Sequence, residues 1–136
     1  MTARPLAAMC DDSPMELRVV RHTDRFDAAC AFWGDLLGWP TTRSWPADEG
    51  QGRGRIFGYG DTARVELIEV PTAVPVTGVL LGAQVDDVAA VVAALTAAGH
   101  TLVRPLADQP WGHRNATVVD PAGIEVTLFQ VIADHD

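Results

Sequence analysis

Short runs of alternating hydrophobic and polar residues predict strands, and two longer stretches have helical spacing. Residues 15–22 (MELRVVRH) alternate, with Leu17 and Val19 on one face and Arg18 and Val20 on the other. A helix is expected next. Its cap would be Thr23 or Asp24, its end Gly38 and Pro40, and its apolar stripe Phe26, Ala29, Cys30, Trp33 and Leu37. Three further strands are predicted near residues 41–45, 55–59 and 63–70.

The same order recurs after a Pro-bounded linker at residues 71–75. VLLGAQV predicts a strand, and Asp86 or Asp87 caps a helix that ends at Gly99. Three more strands are expected near residues 101–105, 113–119 and 124–131. The helix-ending glycines Gly38 and Gly99 lie 61 residues apart, so a βαβββ unit is written twice. We therefore expect an α+β fold with module one at 15–70 and module two at 78–132.

The ends of the chain show no comparable pattern. Residues 1–14 have no periodicity and are expected to form a flexible leader, and residues 133–136 a short tail. No apolar run approaches the roughly 18 residues of a membrane span, and nothing resembles a signal peptide. The sequence therefore predicts a cytoplasmic protein without a membrane partner.

Charge narrows the function classes. The 10 basic residues are all arginine, against 18 acidic residues, which gives a net charge of −8. The lack of lysine excludes Schiff-base chemistry and a phosphate-loop lysine, and the acidic balance disfavours nucleic acid. It would instead attract a cationic small ligand. Cys10 and Cys30 cannot supply a disulfide framework, and Cys30 on the helix stripe is expected to be a buried thiol.

Three segments carry a resemblance to a known family. They are HTDRFDAACAFWGDLLGWP, AQVDDVAAVVAALTAAGHTL and QPWGHRNATVVDPAGIEVTLFQ. Together they resemble the vicinal oxygen chelate superfamily, which includes glyoxalase I, extradiol dioxygenases and bleomycin-resistance proteins, over roughly residues 15–132. The resemblance implies two βαβββ modules that form a cupped eight-stranded mixed sheet with helices on the outside. It also implies a homodimer.

The resemblance further implies four positions for a metal site. Metal-dependent members take one His, Glu or Gln ligand from the first and the last strand of each module. Motif spacing and strand parity place these positions at Arg18, Glu66, Leu80 and Thr127, although spacing alone would also allow Leu17.

Only Glu66 in this set is a good ligand, since leucine has no donor atom and arginine is a permanent cation. A one-residue slip would bring in Glu16 or Glu125, but it would also turn each strand over and expose its apolar face. We therefore expect no metal and no cofactor. If Arg18 and Glu66 both face the cup, they should form an ion pair that either orients a polar ligand or satisfies two half-buried charges.

Aromatic residues suggest an occupant for the cup. Trp111-Gly112 resembles the segment where antibiotic-binding members place a tryptophan against a planar drug, whereas Trp33 and Trp39 are expected in the core. No histidine is paired with a carboxylate by the pattern, so no catalytic residue is assigned. The expected ligand-binding residues are Arg18, Trp45, Phe57, Tyr59, Glu66, Leu80, Trp111, His113, Thr127 and Phe129.

Three hypotheses remain open from the sequence. The first is a metal-independent protein of the bleomycin-resistance type that binds or sequesters a small molecule, an antibiotic for example, that is cationic or aromatic. The second is a glyoxalase- or dioxygenase-like enzyme that uses a divalent metal in an altered site. The third is a metal-free enzyme with Glu66 as its base.

Overall fold

Both predicted modules are present in the computed structural model, which describes residues 15–133. The predicted leader at 1–14 and residues 134–136 of the predicted tail lie outside the described part. Module one consists of β1 (Leu17–Thr23), α1 (Phe26–Cys30), a π-helical segment (Ala31–Leu36), β2 (Thr41–Trp45), β3 (Gly54–Tyr59) and β4 (Ala63–Glu69). Module two consists of β5 (Leu80–Gln84), α2 (Val88–Ala97), β6 (Leu102–Asp108), β7 (His113–Val119) and β8 (Glu125–Val131).

Each module forms its own mixed sheet. The strand orders are β1-β4-β3-β2 and β5-β8-β7-β6, and in each sheet the first and last strands of the module pair in parallel. The fold is thus the expected α+β arrangement of two modules. The eight strands, however, are divided between two four-stranded sheets rather than joined in one. Within the described residues, β1 and β5 pair with no other strand along their outer edges.

The first helix departs from regular α-geometry halfway along. After α1, a π-helical segment follows, in which the amide of Leu37 donates to the carbonyl of Phe32 at 3.0 Å. A π-turn contains one extra residue, so the apolar stripe is rotated within it. As a result both Phe32 and Trp33 are fully buried, whereas regular spacing predicted only Trp33 on the stripe.

The predicted N-cap is wrong for the first helix and confirmed for the second. The N-cap of α1 is Arg25, which makes no side-chain capping bond, rather than Thr23 or Asp24. The Thr23 hydroxyl instead accepts from the amide of Arg25 at 3.0 Å. At α2, Asp87 caps as predicted by accepting from the amide of Ala90 at 3.2 Å.

One hydrophobic core joins the two modules. The buried faces of α1 and β4 and those of α2, β7 and β8 belong to a single apolar cluster. Trp33, Trp39 and Cys30 lie in it, as predicted, and burial raises the pKa of the Cys30 thiol. No helix in residues 15–133 has the length and apolar character needed to cross a membrane.

A buried polar contact links the modules inside this core. The indole N–H of Trp33 donates to Oδ2 of Asp120 at 2.8 Å, and the amide of Ile124 donates to the other carboxylate oxygen at 2.7 Å. Burial raises the pKa of the Asp120 carboxyl, while these two hydrogen bonds act in the opposite direction. The carboxylate in the β7–β8 turn therefore depends on a donor from the helix of the other module.

Replacing Trp33 by phenylalanine should remove the indole donor that binds Oδ2 of the buried Asp120 carboxylate. We expect Trp33→Phe to lower the free energy of unfolding in urea by about 1–3 kcal/mol more than the control Trp39→Phe. The Trp39 ring is also buried, but its indole N–H has no hydrogen bond in the described structure.

The extra loss should depend on pH. The Trp33 hydrogen bond lowers the pKa of Asp120 in the folded state, so its stabilisation is present at higher pH and disappears as pH falls through that pKa. The gap between the two variants should therefore narrow in acid. Equal destabilisation by both variants at neutral pH would contradict this account.

Candidate functional site

The face of each sheet opposite the core is where a ligand can reach the strands. On β4, Val65 and Leu67 are buried in the core, so the intervening Glu66 points to the other face. Strand pairing places Val20 of β1 and Ile56 of β3 opposite Glu66. We call this the cup face of module one.

Arg18 and Glu66 form the predicted ion pair on this face. Nη1 of Arg18 donates to Oε1 of Glu66 at 2.8 Å, and the Glu66 side chain is only 13% exposed. Arg18 also binds Glu16, which precedes β1, and these hydrogen bonds raise the pKa of the guanidinium. The pair shows that Arg18, rather than Leu17, lies beside Glu66.

A groove of about 370 Å³ surrounds this ion pair. Trp45 forms one wall, and its indole lies against the backbone of Gly54, where a side chain on residue 54 would overlap the ring. Gly54 therefore lets the indole lie flat against the sheet. The groove is lined by Arg18, Arg43, Trp45, Gln51, Gly52, Ile56, Glu66 and Ile68, all from module one.

A second, larger groove of about 820 Å³ adjoins the first and shares Gln51, Gly52 and Ile68 with it. Its other side chains are largely acidic or polar, among them His22, Asp24 and Asp48. The loop between β2 and β3 separates the two grooves.

Arg53 fixes the end of this loop. It donates to both carboxylate oxygens of Glu69, at 3.0 and 2.7 Å, and also binds Asp27 at the start of α1. The Arg53 guanidinium lowers the pKa of Glu69 through the first of these contacts. Gly52 packs against the carbonyl of Glu69 too closely to allow a side chain. The loop is therefore held against β4 on the side where it meets the grooves.

Module two carries the equivalent face without an ion pair. The hydroxyls of Thr117 and Thr127 are 2.8 Å apart, on β7 and β8. The rings of His113 and Phe129 stack at 4.7 Å with an interplanar angle of 13°. The predicted residues Thr127, His113 and Phe129 thus share one polar-aromatic surface.

Two other predicted residues of module two are more exposed. Leu80 begins β5 and is 58% exposed, and it pairs with Glu125 on the same face. Trp111 lies in the tight turn between β6 and β7 and is 49% exposed. Neither of the two grooves described above includes Leu80 or Thr127, whereas Arg18 and Glu66 line the smaller one together.

The placement of Phe57 and Tyr59 in the cup was wrong. Both alternate with Ile56 and Gly58 and therefore lie on the opposite face of β3. Phe57 is 1% exposed, in the core against Gly34.

Tyr59 stacks on Trp39 at 4.6 Å, and its hydroxyl donates to the carbonyl of Gln84 on β5. It is therefore a contact between the two modules.

The expected ligand-binding residues omitted five that line the smaller groove, which are Arg43, Gln51, Gly52, Ile56 and Ile68. The available signal was parity. Arg43 lies two residues before Trp45 on β2, and Ile56 lies between Gly54 and Gly58 on β3. On β3, Ile56 faces the groove, whereas the larger aromatic residues Phe57 and Tyr59 do not.

The donor set does not fit a divalent metal ion. In the positions where the family resemblance places ligands, Glu66 is bound by the Arg18 guanidinium, Thr127 is bonded to Thr117, and Leu80 has no donor atom. No group of three or more His, Cys, Asp or Glu side chains in residues 15–133 is arranged to hold a metal.

Removing one charge of the Arg18–Glu66 ion pair should destabilise the protein more than removing both charges. We expect Arg18→Met to lower the free energy of unfolding by up to about 1 kcal/mol, because it leaves the half-buried Glu66 carboxylate without its cation. The double variant Arg18→Met/Glu66→Leu should recover that loss in urea unfolding. Arg114→Met, which removes the guanidinium from the more exposed Arg114–Asp108 pair, serves as the control and should change stability little. A double variant less stable than the single one would count against this reading.

Comparison with solved structures supports the architecture. TnmS3, an antibiotic binding protein from Streptomyces sp. CB03234, matches with a TM-score of 0.66 and 24% identity over 85% of this chain and 94% of that chain. TioX from Micromonospora sp. ML1 matches with a TM-score of 0.66 and 25% identity over 85% and 98%. A glyoxalase I mutant from Zea mays matches with a TM-score of 0.72 and 15% identity over 88% of this chain and 47% of that chain.

Comparison with curated proteins gives no match. The model of one family matches residues 17–128, which include all eight strands except the last three residues of β8. The chain belongs to the Glyoxalase/Bleomycin resistance protein/Dioxygenase superfamily.

Proposed function

We propose that this protein binds a planar aromatic small molecule, of the kind found among antibiotics, without metal and without chemical turnover. The observation that carries the proposal is the Arg18–Glu66 ion pair at 2.8 Å. It places a permanent cation beside the one carboxylate of the family's ligand positions. A divalent metal would have to displace that guanidinium and would meet no further donor from Leu80.

The groove supports binding through its walls and floor. The Trp45 indole offers an aromatic surface, and Ile56 is a buried apolar residue of the floor. Ligand pockets of this kind combine apolar surface with a few oriented polar groups, which the ion pair supplies here. Stacking on an indole stabilises a complex by about 1–3 kcal/mol per ring on the scale known for nucleic-acid bases.

The polar groups do not favour catalysis. Glu66 is the carboxylate nearest to the aromatic wall in this groove, and it already accepts from Arg18. General acid–base chemistry uses positioned groups that take and give a proton, and beside Glu66 the lining of this groove holds only permanently charged arginines and residues that do not titrate. Antibiotic binding by TnmS3, which shares the fold, agrees with a binding role for this chain.

We also propose that the protein is a homodimer whose partner completes the cup. In one chain the two grooves are lined by module one and by Pro71 at the start of the linker, and by no residue of module two. The free edges of β1 and β5 carry exposed apolar residues, with Leu17 78% exposed and Leu80 58%. Such edges invite pairing with another chain.

A neutral probe tests binding. We expect 9,10-anthraquinone-2-carboxamide to quench the tryptophan fluorescence of the protein with one site per chain, and EDTA to leave its Kd unchanged. Trp45→Ala should weaken binding roughly 5- to 150-fold through loss of stacking, and Trp45→Phe should weaken it less.

A metal titration tests the alternative that the protein is a metal-dependent enzyme. Stoichiometric binding of Ni²⁺ or Zn²⁺ to the stripped protein in calorimetry, with probe binding that EDTA abolishes, would replace this proposal by a metal-dependent glyoxalase- or dioxygenase-like enzyme.

Light scattering tests the dimer. We expect wild-type protein at micromolar concentration to have twice the 14.5 kDa mass of the chain. Leu80→Glu should shift it to monomer, because a charge cannot be buried unpaired in an apolar interface. Val74→Glu, which introduces the same charge at an exposed position of the linker, should remain dimeric. A wild-type monomer at these concentrations would refute the shared cup.

A further inference from the structure

The cup face of module one has a charge opposite to that of the whole chain. The protein carries a net charge of −8. Around Glu66, however, Arg18, Arg43 and Arg64 face two carboxylates, those of Glu66 and Glu16. Three positive and two negative charges leave one positive charge in excess at this place.

The excess charge can be assigned to Arg43. Arg18 binds both glutamates, and Arg64 donates to the carbonyls of Gly60 and Ala63 at 3.2 and 2.8 Å.

Arg43 has no carboxylate or carbonyl partner in the described residues, and its guanidinium carbon lies 5.9 Å from the centre of the Trp45 ring. The guanidinium therefore keeps its full hydrogen-bonding capacity beside an aromatic surface.

Strand register places Arg43 at a useful distance from the ion pair. Arg43 on β2 pairs with Ile56 on β3, and Ile56 pairs with Glu66 on β4. Two strand spacings, about 9–10 Å, thus separate the backbone positions of Arg43 and Glu66. Ile56 between them is 4% exposed and forms an apolar floor. This spacing suits an aromatic ring lying over Ile56 with one edge towards Arg43.

We infer that this groove selects aromatic ligands that carry an anionic group, a carboxylate or a phenolate, and that Arg43 binds that group. The inference rests on the proposed binding function and specifies its ligand class. A guanidinium binds a carboxylate through two parallel hydrogen bonds, which fix the plane of the ligand as well as its position.

A cationic ligand is disfavoured in the same groove despite the overall acidity. Glu66 and Glu16 are both engaged by Arg18, so a cation there would meet Arg43 without a free carboxylate. The acidic side chains Asp24 and Asp48 lie in the adjoining larger groove. Net charge acts at long range and is screened within about 10 Å, whereas the groove acts by contact.

Matched probes separate this inference from the binding function itself. Calorimetry would compare 9,10-anthraquinone-2-carboxylate with the isosteric neutral 2-carboxamide. We expect the carboxylate to bind wild-type protein at least tenfold more tightly. Arg43→Gln should lower the ratio of carboxylate to carboxamide affinity about tenfold, because only the carboxylate forms the paired hydrogen bonds with the guanidinium. Arg25→Gln is the control, because it removes the same charge from an exposed arginine outside both grooves.

Each outcome decides a different claim. Equal affinity of the two probes for wild-type protein, or equal losses in Arg43→Gln and Arg25→Gln, would overturn the role of Arg43 and leave aromatic binding intact. Failure of both probes to bind wild-type protein at millimolar concentration would overturn the inference together with the proposed function.

Discussion

The hydrogen bond from Trp33 to Asp120 joins two modules that share no strand pairing. One helix cannot cover the whole apolar face of a four-stranded sheet. Each module therefore depends on the other for a complete core. Placing a carboxylate inside that core costs free energy unless its oxygens are satisfied. The π-helical turn adds Phe32 to the buried face of the helix beside Trp33, and Trp33 supplies the donor. The relative position of the modules is thereby fixed by a directional contact as well as by apolar packing.

Because the core occupies only one face of each sheet, the opposite face remains accessible to a ligand. The residues that alternate with the core residues on β4 and β8 are Glu66 and Thr127. Each of them already has a hydrogen-bond partner within its own module. At the positions where the family resemblance places metal ligands, module one has an ion pair and module two has a pair of hydroxyls. Both arrangements hold the strands without an external ligand, so the remaining groove can be shaped by β2 and the β2–β3 loop.

The alternation of polar and apolar residues predicted much of the fold and part of the cup face. The pattern around Val65 and Leu67 correctly placed Glu66 outside the core. The parity of β1 correctly placed Arg18 beside it, although Leu17, which was expected to pair with Val19 in the core, is 78% exposed. Repetition of the βαβββ pattern gave both modules and most strand bounds to within a few residues. Periodicity could not reveal the π-turn, because one inserted residue changes hydrogen bonding without changing composition. It also could not show that the sheets separate, since that depends on contacts between distant edges.

The error at Phe57 and Tyr59 shows why site prediction is harder than fold prediction. Aromatic residues suit both a core and a ligand pocket, so their identity alone did not decide which face of β3 they occupy. The two glycines of that strand were the better guide, since a strand face that leaves room for Trp45 and a ligand needs small residues. Charge has the same ambiguity. A net charge of −8 describes the field far from the surface, whereas the charges at the groove itself are those of Arg18, Arg43 and Glu66 in its lining. Under the proposed function, ligand specificity depends on this local pairing, because Arg18 is already bound to carboxylates and Arg43 remains available to a ligand.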